Sequence, residues 1–352
     1  MMGRELSGEE LDAYSRQIVL KDIGYEGQRK IRGGRVCVIG VGGLGSTIVT
    51  QLAGMGVGFL RIVDRDVVER ANLHRQGVYS IKELGMPKVE AAENRIREIN
   101  PDVEVEALPV SVNDHNAESI VKGVDVVVDG LDSLRVRRIV NRACVGLRMP
   151  YVFGSAVEMF GNASTIIPGE TPCLDCFLPR QEPSATCATV GVHPSIVSIV
   201  ASIQVSEAVR IITGAKPILM GKLLFFDLRN MLLETIEVKR SESCETCGGS
   251  SASAKRGAGE DFNVERVCST RGLSYYIVSP KSVLKLNLQQ ASLTGQGSFK
   301  MKARHRLSIV LQTDEGVEIH LMSTGVGILR GVKDESDAIQ NYMNALRVFK
   351  PV

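Results

Sequence analysis

Residues 37–66, "CVIGVGGLGSTIVTQLAGMGVGFLRIVDRD", narrow the possible folds more than any other stretch of this chain. The run "RVCVIGV" is short, continuous and apolar, as a strand buried on both faces of a parallel sheet must be. Glycines break it, "STIVTQLAGMGV" takes helical spacing, and "FLRIVD" is a second buried strand. Gly40, Gly42, Gly43 and Gly45 stand where a backbone must come close to a phosphate. The helix N-terminus that follows adds free N–H groups and partial positive charge. Asp64 closes the second strand about 20 residues on, where an acid accepts ribose hydroxyls. A redox dinucleotide and an ATP about to be broken would both suit this arrangement.

The alternation continues along the chain. "MPKVEAAENRIREIN" and "RVRRIVNRACVGL" have helical spacing, while "VEVEALPV", "VDVVVDGLD" and "PYVFGSAV" read as strands. Strands and helices in turn predict an α/β, Rossmann-like parallel sheet covered on both faces. Ahead of it, "SGEELDAYSRQIVL" reads as one helix with Ser7 as N-cap and Glu10 completing a capping box. Between Pro168 and Ser195 the pattern stops, and "SIVSIVASIQVSEAVRIITG" follows as a long apolar helix ending on Gly214. Residues 248–261 are small and polar, a linker. Beyond them, "LSYYIVS", "HRLSIVLQT" and "VEIHLMS" are strands, Gly325 marks a turn, and "ESDAIQNYMNALRVF" is a final helix started by Asp334 or Ser336. Residues 1–247 and 262–352 thus read as two domains, the second a small α+β unit outside the nucleotide fold.

With 352 residues, 44% hydrophobic and 23% charged, the composition is that of a soluble globular protein. A net charge of +2 offers no basic face for nucleic acid. No stretch of about 18 uncharged apolar residues suggests a membrane span, and the charged N-terminus lacks a secretory core. The expected compartment is the cytoplasm.

A set of polar residues surrounds the glycine loop in sequence. "DRDVVERANLHRQ" carries Asp64, Asp66, Asn72, Arg75 and Gln76; "GMPKVEAA" carries Lys88; "DGLDSLRVR" carries Asp132 and Arg137. Hydride transfer has little use for so many cations near phosphates. Attack on an α-phosphate does, because charge grows on phosphoryl oxygens and must be met by Arg, Lys and Mg²⁺. An oxidoreductase would also need a catalytic His or Tyr with a nearby Lys, and no such arrangement stands out.

Seven motifs, "YSRQIVL", "VIGVGGLGS", "DRDVVERANLHRQ", "GMPKVEAA", "TPCLDC", "TCATVGV" and "CETCGG", together resemble the ubiquitin-activating and MoeB/ThiF-type adenylyltransferase superfamily, from about residue 8 to 250. The resemblance implies that Asp64 holds the ATP ribose, that Asn72, Arg75 and Lys88 hold the phosphates, and that Asp132 binds Mg²⁺. It implies that Arg16 reaches into a partner's site across a homodimer. Where the family has "TDN", this chain has "LDS", so Ser133 replaces an expected Asn. The implied reaction joins ATP to the C-terminal glycine of a ubiquitin-like protein ending in Gly-Gly. Retention of Arg16, Asp64, Arg75, Lys88 and Asp132 argues against a subunit that only binds that protein.

Eight cysteines in such a chain do not suggest a disulfide framework. Cys173 with Cys176 and Cys244 with Cys247 form two C-x-x-C knuckles, the spacing of a structural Zn²⁺ site. The 68 residues from Cys176 to Cys244 make this a clasp between distant segments rather than a finger. Cys187, in the polar stretch "SATCATVGV", stands where the family places a thioester-forming cysteine, with Arg180 and His193 near in sequence. A thiolate is favoured beside a cation or a helix start. Cys37 and Cys144 fall on apolar faces, and Cys268 carries no signal.

Two fates of the adenylate follow from the resemblance. In conjugation, Cys187 captures the acyl group and passes it to a carrier enzyme, which a ubiquitin-fold-like domain at 262–352 would recruit. In cofactor synthesis or tRNA thiolation, the adenylate receives sulfur. The added domain, too short for a rhodanese, tilts this sequence reading toward conjugation.

Overall fold

The computed structural model describes residues 5–179, 190–248, 261–268, 274–288 and 299–349. Cys187, Arg180 and linker residues 249–260 lie outside the described residues.

The N-terminal segment differs from the single helix expected. It divides into α1 (Gly8–Ala13) and α2 (Ser15–Ile18), with α3 (Gly24–Gly33) after them. The capping box of Ser7 and Glu10 is present, but Tyr14 leaves helical geometry at φ −101°, ψ 11°. Tyr14 is buried, and its hydroxyl accepts from Asn100 Nδ2 at 2.8 Å, which ties the break to the body of the domain.

The main sheet has eight strands in the order β3-β2-β1-β4-β5-β6-β7-β8. β1 (Arg35–Ile39), β2 (Phe59–Val63), β3 (Glu104–Leu108), β4 (Val126–Asp129) and β5 (Tyr151–Val157) are parallel. β6 (Phe160–Ile166), β7 (Lys222–Asp227) and β8 (Leu232–Glu237) extend it antiparallel. β1 and β4 are buried almost throughout, which explains their unbroken apolar sequence.

Between them in sequence run α4 (Gly43–Gly54), α5 (Lys88–Ile99), α6 (Ala117–Val121), α7 (Leu134–Gly146) and α8 (Pro194–Thr213). α4, α5 and α8 cover one face through Ile48, Leu52, Ile96 and Val200. α6 and α7 cover the other through Ile120, Val140 and Cys144. α8 is the one helix among the described residues long and apolar enough to cross a bilayer. It packs instead on α4 and β5, with Gln204 Nε2 donating to Asp129 O and Val152 O, and the Glu207 carboxylate accepting from Thr165 Oγ1, Ile218 N and Leu219 N inside the protein.

A second sheet follows in the order β11-β12-β13-β14-β10-β9. Its strands are β9 (Phe262–Cys268), β10 (Ser274–Pro280), β11 (Phe299–Arg304), β12 (Ser308–Thr313), β13 (Glu318–Met322) and β14 (Gly327–Arg330). α9 (Glu335–Val348) covers one face, with Asp334 as N-cap accepting from Asp337 N at 2.9 Å. β9, β11 and β14 add to the three strands read from the sequence. All five ladders are antiparallel. A ubiquitin-like fold has a parallel pair at the centre of its sheet, and no parallel pair occurs among the described strands of this α+β unit. It also does not stand apart from the nucleotide fold, because Val67 of the first domain is buried against its second face.

Candidate nucleotide site and cysteine cluster

The order β2-β1-β4 reverses the direction of winding between β1 and β4. The crevice at the carboxyl ends of such neighbours is where open α/β sheets take ligands. There the chain after β1 and the chain after β4 touch. A Cβ at Gly40 would meet Gly130 O at 2.5 Å, and one at Gly45 would meet Gly40 O at 1.9 Å. Gly40 also has φ +88°, a region L side chains rarely adopt. These two glycines serve backbone packing.

Gly42 differs, for it leaves open backbone, while a Cβ at Gly43 would press on Val197 Cγ1 at 3.1 Å. A Cβ at Gly42 would find only Gln76 Nε2, at 3.7 Å, and α4 starts here with no side-chain cap. The first-turn N–H groups therefore look for an outside acceptor. Gln76 is buried, and its Oε1 has no partner. The amide group that faces the bare glycine backbone is the Nε2 donor, which can serve an acceptor such as a phosphate oxygen, whereas Oε1 can only accept. Arg75 reaches the same loop, its Cδ 3.8 Å from where a Gly43 Cβ would stand, and its Nη2 donates to Asn72 Oδ1 at 3.1 Å.

Asp64 accepts from Val41 N and Asp66 N, both at 2.8 Å, which fixes its carboxylate against the loop. Each oxygen keeps a lone pair for a ribose hydroxyl. Tyr79 donates to Val41 O at 2.8 Å and holds the loop from behind. Lys88 opens α5, is 5% exposed, and its Nζ lies 3.0 Å from Asp66 Oδ2. Burial alone would lower the Lys88 ammonium, but Asp66 and Asp64 outweigh it and hold the charge on. Burial likewise would raise Asp66, yet Lys88 and Arg65 keep that carboxyl below the usual range. Asp64 goes the other way, raised by burial against the pull of Lys88.

Asp132 is exposed in the turn after β4, and its charge bears on Arg65, Lys88 and Arg137. The site thus gathers the glycines, Asp64, Asp66, Asn72, Arg75, Gln76, Lys88 and Asp132. Arg137 is not available to phosphates. It is buried in an ion pair with Asp129 at 3.0 Å and donates to Gly154 O at 2.8 Å. Tyr151 donates to Asp129 Oδ2 at 2.7 Å, and Gln204 donates to Asp129 O at 2.7 Å. This buried network sets the turn that carries Asp132, and sequence reading missed it. The one signal was Asp129 itself, a charge ending the apolar run "VDVVVD". Ser133 caps α7, accepting from Val136 N at 3.4 Å, so the departure from the family's "TDN" keeps a helix start.

Arg16 lies on α2, exposed, near Val19, which is 75% exposed. His193 is the N-cap of α8 and accepts from Ser195 N at 3.2 Å, the structural role its sequence allowed. Cys37 and Cys144 are core residues, and burial pushes the Cys37 thiol up to about 12.

The four knuckle cysteines converge. Their Sγ atoms all lie within 4.8 Å of one another, with Cys173–Cys244 at 3.6 Å, Cys176–Cys247 at 3.4 Å and Cys173–Cys176 at 4.0 Å. Zn–S bonds of about 2.3 Å give tetrahedral S···S edges of about 3.8 Å, whereas a disulfide needs about 2.05 Å. The donors fit Zn²⁺. Four thiolates leave no open coordination position, so the metal there would be structural.

A model of the ThiF family matches residues 14–246. The chain belongs to the ThiF family. It is 39% identical over 250 residues to the SAMP-activating enzyme E1 of Haloferax volcanii, an alignment covering 70% of this chain and 92% of that protein. It is 37% identical over 248 residues to the sulfur carrier protein adenylyltransferase of Thermus thermophilus, covering 68% and 92%. Against the adenylyltransferase and sulfurtransferase MOCS3 of Drosophila sechellia it is 35% identical over 247 residues, covering 69% of this chain but 54% of that one. Escherichia coli MccB, solved with ATP, superposes with a TM-score of 0.61 over 67% of this chain and 75% of its own, at 22% identity, a likeness of fold.

Proposed function

We propose that this ThiF-family chain is an adenylyltransferase that activates the C-terminal carboxylate of a small ubiquitin-like protein ending in Gly-Gly, of the sulfur-carrier type. The observation that carries the reading is the convergence on one glycine loop of three donors: an uncapped helix N-terminus, Arg75 and Gln76 Nε2. The names of its relatives support the substrate class, since one activates SAMP and another a sulfur carrier protein.

The substrate carboxylate oxygen attacks the α-phosphorus of ATP, a P–O bond forms to the acyl group, and pyrophosphate leaves. No proton needs to be moved, so the residues work by charge. Asp64 orients the ribose, the α4 N–H groups and Gln76 Nε2 donate to the phosphates, and Arg75 with Asn72 and Lys88 meet charge as it spreads over the phosphoryl oxygens. Asp132, exposed and near Lys88, is the carboxylate that would hold Mg²⁺, which when bound would supply further charge neutralisation. Arg16 would act in trans in a two-fold homodimer.

Sulfur acceptance is the favoured fate of the adenylate, which reverses the tilt drawn from the added domain. The expected carrier recruitment rested on a ubiquitin-like fold, whereas the ladders among the described residues beyond 261 are all antiparallel. Thioester formation on Cys187 stays as the second reading, supported by the E1 in one relative's name. ATP–pyrophosphate exchange that depends on the ubiquitin-like protein tests the main reading, and its absence with competent substrate refutes it. A thiol-sensitive adduct lost in Cys187→Ala would move the fate to conjugation; a thiocarboxylate on the carrier, formed equally by Cys187→Ala, would leave it with sulfur.

A further inference from the structure

The antiparallel sheet has two apolar faces. α9 covers one, with Tyr342 and Phe349 packed among Ile309 and Leu329. On the other, Ile277, Met322, Val326 and Ile328 are at most 2% exposed, and Val67, itself 2% exposed, closes over them. Val67 belongs to the other domain and is the neighbour of Asp66. Polar contacts flank this plug. Arg65 makes a forked ion pair with Glu265, at 2.6 and 2.9 Å, and Glu69 pairs with Arg330.

A second grip lies on the helix that Lys88 opens. Glu90, in the first turn of α5, accepts from Arg306 N at 2.9 Å and Leu307 N at 2.8 Å. The two gripped pieces are also joined to each other: Val67 bridges Pro87, and Lys88 N donates to Asp66 O at 2.9 Å. The charges of Arg330 and Lys88 both bear on Asp66.

We propose that the antiparallel domain is a positioning clamp on residues 65–90, and that the productive placement of Asp66 and Lys88, and with it ATP affinity, depends on that clamp. The inference rests on the ATP reading above. The matched family region stops at residue 246, so the grip comes from outside it. Arg65, Val67, Glu265 and Arg330 touch no reacting atom; they act through the loop. An unclamped loop spends time with the Lys88–Asp66 pair displaced, and apparent affinity falls with the fraction of competent molecules.

The test compares full-length wild type with Ile328→Ala and with the double variant Glu265→Gln/Arg330→Gln. Hydrogen exchange is followed in peptides spanning 64–90 and 335–348, ATP–Mg²⁺ binding by calorimetry, and turnover by pyrophosphate exchange. Both variants should exchange faster in 64–90 and at the wild-type rate in 335–348. KM and Kd for ATP should rise about fivefold, as for a competent fraction of about one fifth, with kcat changed less than about twofold. Glu265→Asp, which keeps the charge, should stay near wild type. A loosened 64–90 segment with wild-type ATP affinity overturns the proposal, and so does unchanged exchange. If 335–348 also loosens in Ile328→Ala, that domain has lost its fold, and the double polar variant, which removes no core atom, decides. Failure of the wild type to bind ATP refutes the nucleotide reading and with it this proposal.

Discussion

Replacing Cys244 by serine tests the cysteine clasp quantitatively. Cys244 Sγ stands 3.6 Å from Cys173 Sγ, and the 68-position separation of Cys176 and Cys244 is the loop that a shared metal closes. The chain-entropy relation for a cross-link of that span gives about 4.4 kcal/mol at 25 °C. Three remaining thiolates bind Zn²⁺ more weakly, and binding energy at such a site is folding energy. A domain of this size loses about 2–4 °C of melting temperature per kcal/mol. The full loss therefore corresponds to roughly 9–18 °C. Part of the contact between the knuckles survives, since Thr246 donates to Asp175 Oδ2 at 2.7 Å and Asn141 donates to the same oxygen at 3.1 Å. The lower end of the range is thus expected. Purified wild type should hold one zinc per chain by elemental analysis, Cys244→Ser should hold less, and strong chelator should lower the wild-type melting temperature toward the variant's. An unchanged melting temperature in Cys244→Ser, or zinc-free wild type made without chelator, refutes the reasoning.

Lys88→Met should cut pyrophosphate exchange about a hundredfold or more, the scale of losing one charge-stabilising group; the fold should persist because the Asp66 side chain is 40% exposed and can rehydrate. An exchange rate within a few fold of wild type would show that Lys88 meets no developing charge. Glu318 is held below the usual carboxylate range by His320, whose Nε2 donates at 2.9 Å. Its folded value being depressed, it adds stability above about pH 4.3, which is lost as the pH falls through the lower folded value. Glu318→Gln should flatten the denaturation profile in that acid window, and an identical profile would count against the assignment. Cys37, with its thiol pushed up to about 12 by burial, should resist alkylation at pH 8 in the native protein and react after unfolding; rapid native labelling at Cys37, located by mass spectrometry, would contradict its place in the core.

The sequence by itself determined the parallel sheet, because strands buried on both faces must be apolar throughout, and "RVCVIGV" and "VDVVVD" could be little else. It determined the tight glycine turn after β1, since Gly40 and Gly45 admit no side chain where backbone meets backbone, and the cysteine knuckles, whose local spacing is a metal-site signature. Only tertiary structure decided the rest. Arg137 looks in sequence like one more cation for phosphates, yet the buried Asp129 takes it, and burial is a property of the packed fold rather than of "DGLDSLRVR". The break at Tyr14 follows from a hydrogen bond to Asn100, 86 residues away. The antiparallel topology of 262–349 depends on which strands pair, which alternating patterns leave open. Its contact with Val67 could not be read at all: a valine between Asp66 and Glu69 carries no sign of the distant pocket that buries it, because an apolar face in sequence names no partner.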